Sequence, residues 1–143
     1  EFDSVADYLR DVIDEFKEGD FSYEYIGIPG GIGQKLDAYD TDTAQVKGAK
    51  YANENLGTNF TSGSKPKRLY IKRVKPSENG DQYPPTDVVC FEYEEQIPDE
   101  FVVDWDKMLE KTLEEPISRI LEALDWSWSE VESGQEQTGL GEF

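Results

Sequence analysis

Apolar residues recur at helical spacing at the two ends of this chain and alternate every second residue only in its middle. A 3.6-residue period buries one stripe of a helix, and a two-residue period buries one face of a strand. A chain carrying both in separate segments is therefore committed to an α+β fold rather than a bundle or a barrel. The longer stripe is C-terminal. Trp105, Met108, Leu109, Leu113, Ile117, Ile120, Leu121 and Leu124 predict one helix over residues 104–124, with Ile120 in the core. Pro116 has no N–H for the internal ladder, so it should kink that helix or stand in the first turn of a second. Val5, Tyr8, Leu9, Val12, Ile13 and Phe16 predict a helix over 4–16, with Ser4 and Asp7 as a capping pair and Gly19 as the stop.

The middle reads differently. Residues 22–29 (SYEYIGIP) alternate aromatic and β-branched side chains and predict a strand; 30–33 (GGIG) are a turn. Residues 43–56 predict a helix ended by Gly57, and 59–66 a polar loop. In 68–74 (RLYIKRV), Leu69, Ile71 and Arg73 fall on one face and Tyr70, Lys72 and Val74 on the other. After a turn over 76–85, residues 88–93 (VVCFEY) predict a second strand, antiparallel to the first. Trp126 and Trp128 should fold back onto the core, and beyond them the chain becomes a polar, Gly-rich tail. The expected architecture is α+β, with helices at both ends packed around a small antiparallel β-rich subdomain. Residues 1–128 would form the folded unit, with a basic loop, helix and strand segment over 35–100, and 129–143 a flexible acidic tail.

Charge narrows the function. The chain has 143 residues with 14 Lys+Arg against 32 Asp+Glu and no His, a net charge of −18. Without imidazole, Ser-His-Asp and Cys-His catalysis and His-containing zinc sites are excluded. An aromatic content of 13% is too high for a disordered acidic tail. Cys90 is the single cysteine, has no internal disulfide partner, and reads as a small buried hydrophobe in a reducing, cytoplasmic compartment. No apolar run is long enough for a membrane span. With no initiator Met and no basic-then-apolar leader, the chain is expected to begin inside a longer protein or after processing.

The cations are not spread evenly. Residues 35–75 hold nine basic side chains (Lys35, Lys47, Lys50, Lys65, Lys67, Arg68, Lys72, Arg73 and Lys75) against four acids, a net of +5. The other 102 residues hold 5 basic and 28 acidic side chains, a net of −23. A protein adapted to molar salt, where the Debye length is about 3 Å, tolerates such acidity while keeping one basic face for DNA. A DNA mimic has no reason to gather its cations, and the plainest alternative is a solvated face.

Several short patterns carry little. GGIGQK (30–35) departs from the phosphate-loop pattern at Gln34 and Leu36. DTDT (40–43) lacks the Gly and Glu of a calcium loop, with Tyr51 in the Glu position. Asn59-Phe60-Thr61 matches a glycosylation triplet without a secretory context. No pair of carboxylates suggests a metal or acid–base site, which leaves a carboxylate hydrolase without its pair. The tail is sharper. Gln137, Leu140 and Phe143 in QTGLGEF stand at a spacing that places Leu140 and Phe143 on one side of a single turn, ready to fill an apolar pocket. This resembles the peptide by which replication proteins dock on the ring-shaped sliding clamp.

Taken in order, FSYEYIGIP, GQKLDAY, AQVKGAKYANENL, KRLYIKRVKP, DWDKMLEKTLEEPISRILEAL and QTGLGEF resemble the C-terminal thumb domain of family B DNA polymerases, in their archaeal and T-even phage branches. Gln45, Val46, Lys47 and Gly48 stand where the family has His-Val-Arg-Gly/Ala, which keeps a cation but not its bidentate fork. The resemblance implies a thumb that grips primer–template duplex DNA through phosphates and docks on a sliding clamp. Its catalytic Mg2+ would be held upstream on palm carboxylates, with no catalytic residue, metal or cofactor in these residues. The acidity points to a halophilic archaeon. The DNA-binding residues expected on this reading are Lys35, Gln45, Lys47, Lys50, Lys67, Arg68, Lys72 and Arg73, and the clamp-binding ones Gln137, Leu140 and Phe143. The partners would be double-stranded DNA, the clamp and the palm. The competing expectation is an acidic adaptor or DNA mimic that acts by protein contact alone.

Overall fold

A computed structural model of the chain describes residues 1–19, 21–78, 80 and 82–134. The fold is α+β, with helices at both ends of the chain and a small antiparallel sheet between them in sequence. It divides into two compact units, Ser22–Asp104 and a second made of Glu1–Phe21 together with the described residues from Trp105 onward.

In the terminal unit, α1 (Phe2–Glu18) buries Phe2, Ala6, Leu9, Ile13 and Phe16 along one stripe. Its N-cap is Glu1, so Ser4 lies inside the helix and the expected Ser4–Asp7 capping pair is not formed. Phe2 explains the difference. It is 5% exposed and meets Trp126 edge-on at 5.1 Å between ring centroids, so burying it draws two more residues into the helix. Gly19 closes α1 as expected, in the left-handed conformation at φ 73°, with its N–H donated to the carbonyls of Glu15 and Phe16.

The stretch expected to be helical over 104–124 is three pieces: α4 (Trp105–Leu109), a π-helical turn (Glu110–Glu114) and α5 (Glu115–Ala123), with Pro116 in the first turn of α5, the second of the two places expected for it. The proline ring crowds the carbonyl four residues back and offers no N–H, so the turn ahead of it widens. A widened turn accommodates one extra residue and rotates the next helical segment by about 100°. Leu121 therefore joins the core with Phe2, Ala6, Leu9 and Val131, while Leu113, Ile117, Trp126 and Trp128 pack partly buried against it. Ile120, expected in the core, is 59% exposed, and Leu124 is 52% exposed.

Residues 129–134 are not tail. Ser127 accepts the Glu130 N–H at its side chain and caps α6 (Trp128–Ser133), which Gly134 ends at φ 77°. Val131 is completely buried in the cluster just described, so the boundary expected after residue 128 falls inside a helix. Trp126 and Trp128 do fold back onto the core.

In the 22–104 unit the strand expected over 22–29 is mostly a helical turn, α2 (Tyr23–Ile26), leaving only β1 (Ile28–Pro29) extended. Two bonds favour the turn. Ser22 accepts the Tyr25 N–H at its side chain, and the Glu94 carboxylate accepts the Tyr23 N–H at 3.0 Å. The remaining elements are α3 (Ala44–Asn55), β2 (Lys67–Val74), β3 (Val88–Phe91) and β4 (Phe101–Val103). β2 lies between β1 and β3 and pairs antiparallel with both; its second half also pairs with β4. The β2–β3 pairing, Lys67 opposite Phe91 through Tyr70 opposite Val88, is the antiparallel pair expected. α3 lies across β3 because Gly48 permits it: a Cβ there would stand 3.0 Å from the Cys90 backbone nitrogen.

Candidate nucleic-acid interface

The expected DNA-binding residues all lie in the 22–104 unit, on three supports: the loop before the 3-10 turn Leu36–Ala38, helix α3, and strand β2. The structure sorts them by what their polar atoms already do.

Lys72 and Arg73 are presented by a β-bulge. Ile71 faces Val103 on β4, but Arg73 faces Val102, so Lys72 is an extra residue on β2. On a regular strand these consecutive side chains would point to opposite faces, as the alternation predicted. The bulge breaks the alternation, and both are exposed. Neither has an ion-pair partner among the described residues, and Lys35 has none either.

Lys47 and Lys50 stand one turn apart on α3, on the side away from its buried Gln45, Val46, Ala49 and Ala52. Each already has a carboxylate: Lys47 Nζ is 2.6 Å from Asp87 and Lys50 Nζ is 2.9 Å from Asp42. Such solvated pairs are worth about 0–1 kcal/mol, so a phosphate can replace the carboxylate at little cost. Lys50 also meets Lys35 across a surface cavity of about 440 Å³ floored by Leu36 and Phe60, with Asp37 and Glu54 among its other lining residues.

The last three have their polar atoms engaged within the fold. Lys67 donates to the Glu92 carbonyl at 3.0 Å and lies 5.8 Å over the Phe91 ring. Arg68 donates through Nε to the Tyr70 hydroxyl at 3.0 Å and through Nη1 to Gln45 Oε1 at 2.8 Å, with its guanidinium over the Tyr70 ring. Gln45 is 9% exposed, and its amide nitrogen donates to the carbonyls of Gly30 and Pro66 at 2.8 and 2.9 Å. Gln137, Leu140 and Phe143 lie outside the described residues.

The bulge breaks the alternation expected over 68–74, and its one signal in the sequence is the pair of consecutive charged residues that ends the alternating run. The junction that Gln45 makes between segments distant in sequence has no local signal, because its partners Gly30, Pro66 and Arg68 meet only on folding. Cys90 is fully buried as expected, and burial pushes its thiol up to about 12 against the opposing pull of Arg68. Burial, with a smaller contribution from Tyr83, pushes the Tyr51 phenol up to about 12, where it stays neutral and donates to the Pro84 carbonyl at 2.7 Å. Among the described residues no group of three or more His, Cys, Asp or Glu is placed to hold a metal ion, and no helix is long and apolar enough to cross a membrane. No family model matches the chain, and no curated protein matches it significantly.

Proposed function

We propose that this chain is the thumb portion of a family B DNA polymerase, which holds primer–template duplex by its phosphates and docks on a sliding clamp through its last residues. The observation that carries this reading is the pair Lys72 and Arg73, raised together into solvent by a bulge in a chain of net charge −18. Lys35, in the same unit, also has no ion-pair partner among the described residues, and Lys47 and Lys50 are held only by exchangeable surface pairs. Ammonium and guanidinium groups of this kind position a duplex without reading its sequence. Polymerisation itself belongs, on this reading, to Mg2+-binding carboxylates of a palm outside these residues. The acidic remainder suits a salt-rich cytoplasm.

Titration of the chain with a fluorescein-labelled 20-base-pair duplex at several salt concentrations tests the grip. Each neutralised phosphate contributes about −0.9 to the slope of log affinity on log salt, so Lys72→Ala with Arg73→Ala should flatten the slope by about 1.8. An unchanged slope would remove these residues from the interface. For the tail, a peptide of residues 134–143 should bind an archaeal sliding clamp, and Leu140→Ala with Phe143→Ala should abolish that binding. Equal binding by the doubly substituted peptide would discard the motif.

A second reading, an acidic adaptor or DNA mimic, draws on the carboxylates already seated on Lys47 and Lys50. It predicts no duplex binding at any salt concentration.

A further inference from the structure

We infer that Gln45 is a positioning residue for the Lys35 loop and Arg68 rather than a contact to DNA, an inference that rests on the duplex-binding reading. Its amide has one orientation that chemistry allows. Two carbonyl oxygens, of Gly30 and Pro66, face Nε2, and the Arg68 guanidinium faces Oε1. Reversing the amide would set acceptor against acceptor and donor against donor. Both amide hydrogens are therefore committed to the protein, and the residue is buried. The close approach depends on Gly30, where a Cβ would lie 2.8 Å from Gln45 Cδ.

The segments that Gln45 joins give it consequence. The Gly30 end is the start of the loop that carries Lys35. Backbone bonds fasten that loop to the segment before β2: Gly30 N–H to Pro66, Ile32 N–H to Ser64, and Gly63 N–H to Ile32. The Pro66 end leads directly into Lys67 and Arg68 of β2. Alongside those backbone bonds, one amide bridges the Lys35 loop and the segment entering β2, and its oxygen, with the Tyr70 hydroxyl, fixes the direction of the Arg68 guanidinium. A group that fixes others acts through them. Its loss should disturb Lys35 and Arg68 and leave Lys72 and Arg73, on the bulged end of β2, unaffected.

Gln45→Met keeps the side-chain length and removes every polar contact, while Arg68→Met removes only the guanidinium. In the full chain, hydrogen exchange at the Gly30 and Ile32 amides should quicken about tenfold in Gln45→Met and stay unchanged in Arg68→Met, because local opening exposes these bonds without global unfolding. Duplex affinity supplies the second readout. In double-mutant cycles Gln45→Met should couple with Lys35→Ala, the pair losing clearly less than the sum of the singles, and should add fully to Lys72→Ala. Unchanged exchange at Gly30 and Ile32, or full additivity with Lys35→Ala, would overturn the inference. Should Gln45→Met not fold, Arg68→Met decides in its place: quickened Gly30 exchange there would show that the guanidinium, not the Gln45 amide, holds the loop. A wild-type chain that binds no duplex would refute the polymerase reading instead, and the exchange measurements would still decide whether Gln45 holds the loop.

Discussion

Leu121→Asp should abolish cooperative unfolding of the terminal helices, whereas Ile120→Asp, one residue earlier, should change stability by no more than about 0.5 kcal/mol. Leu121 is 2% exposed and packs with Phe2, Ala6, Leu9 and Val131, so the aspartate would lose the buried side chain and strand a charge among apolar groups. Leucine truncation alone costs about 2–5 kcal/mol, and an unpaired buried charge adds several more, together rivalling the roughly 5–15 kcal/mol that holds a whole domain folded. Ile120, 59% exposed, only lines an open apolar groove with Val5, Tyr8 and Leu124, so an aspartate there keeps its water. Near-ultraviolet circular dichroism during heating reports the difference, because Trp105, Trp126 and Trp128 all belong to this unit. Equal destabilisation by the two substitutions would mean that α5 presents the face expected from an uninterrupted helix.

That contrast marks where the sequence is legible. The fold class, α1, the helical character of the C-terminal stretch and strands β2 and β3 follow from hydrophobic period, since period is a local property of the chain; α3 does not, because its apolar residues are spread over mixed faces. The phase of α5 does not. It depends on one π-helical turn ahead of Pro116, and a pattern counted at 3.6 residues per turn across that point assigns Ile120 to the wrong side. The same holds for α2, where two side-chain caps, one of them from Glu94 far along the chain, outweigh an alternating pattern. It holds again for α6, whose six residues look like tail until Val131 is seen to be buried. For the candidate site, charge partition singled out one stretch of chain, because net charge is readable residue by residue. Which cations are free is a matter of partners. Asp87 and Asp42 meet Lys47 and Lys50 only after folding, and Gln45, grouped with the DNA contacts by its place in a motif, is spent on Gly30, Pro66 and Arg68.

In the 22–104 unit the largest loss should come from Phe91→Ala, about 3–5 kcal/mol by chemical denaturation of the full chain. Phe91 is fully buried at the end of β3, and its ring also carries Lys67 above one face, so truncation opens a cavity and releases a cation together. Gly48→Ala tests the same interface from α3. The added carbon would meet the Cys90 nitrogen, its Sγ and the Val89 carbonyl carbon, each at 3.0 Å. Two of these are β3 backbone atoms, held by the pairing with β2, and they cannot turn aside as a flexible side chain would. Helix and strand must separate by a few tenths of an ångström, so the substitution should cost about 1–3 kcal/mol despite the higher helix propensity of alanine. Lys47 and Lys50 ride on that helix, so on the proposed duplex-binding reading the shift should also weaken duplex affinity without altering the charge of any residue. A stability gain from Gly48→Ala would show instead that propensity outweighs the contact and that α3 lies farther from β3 than these distances require.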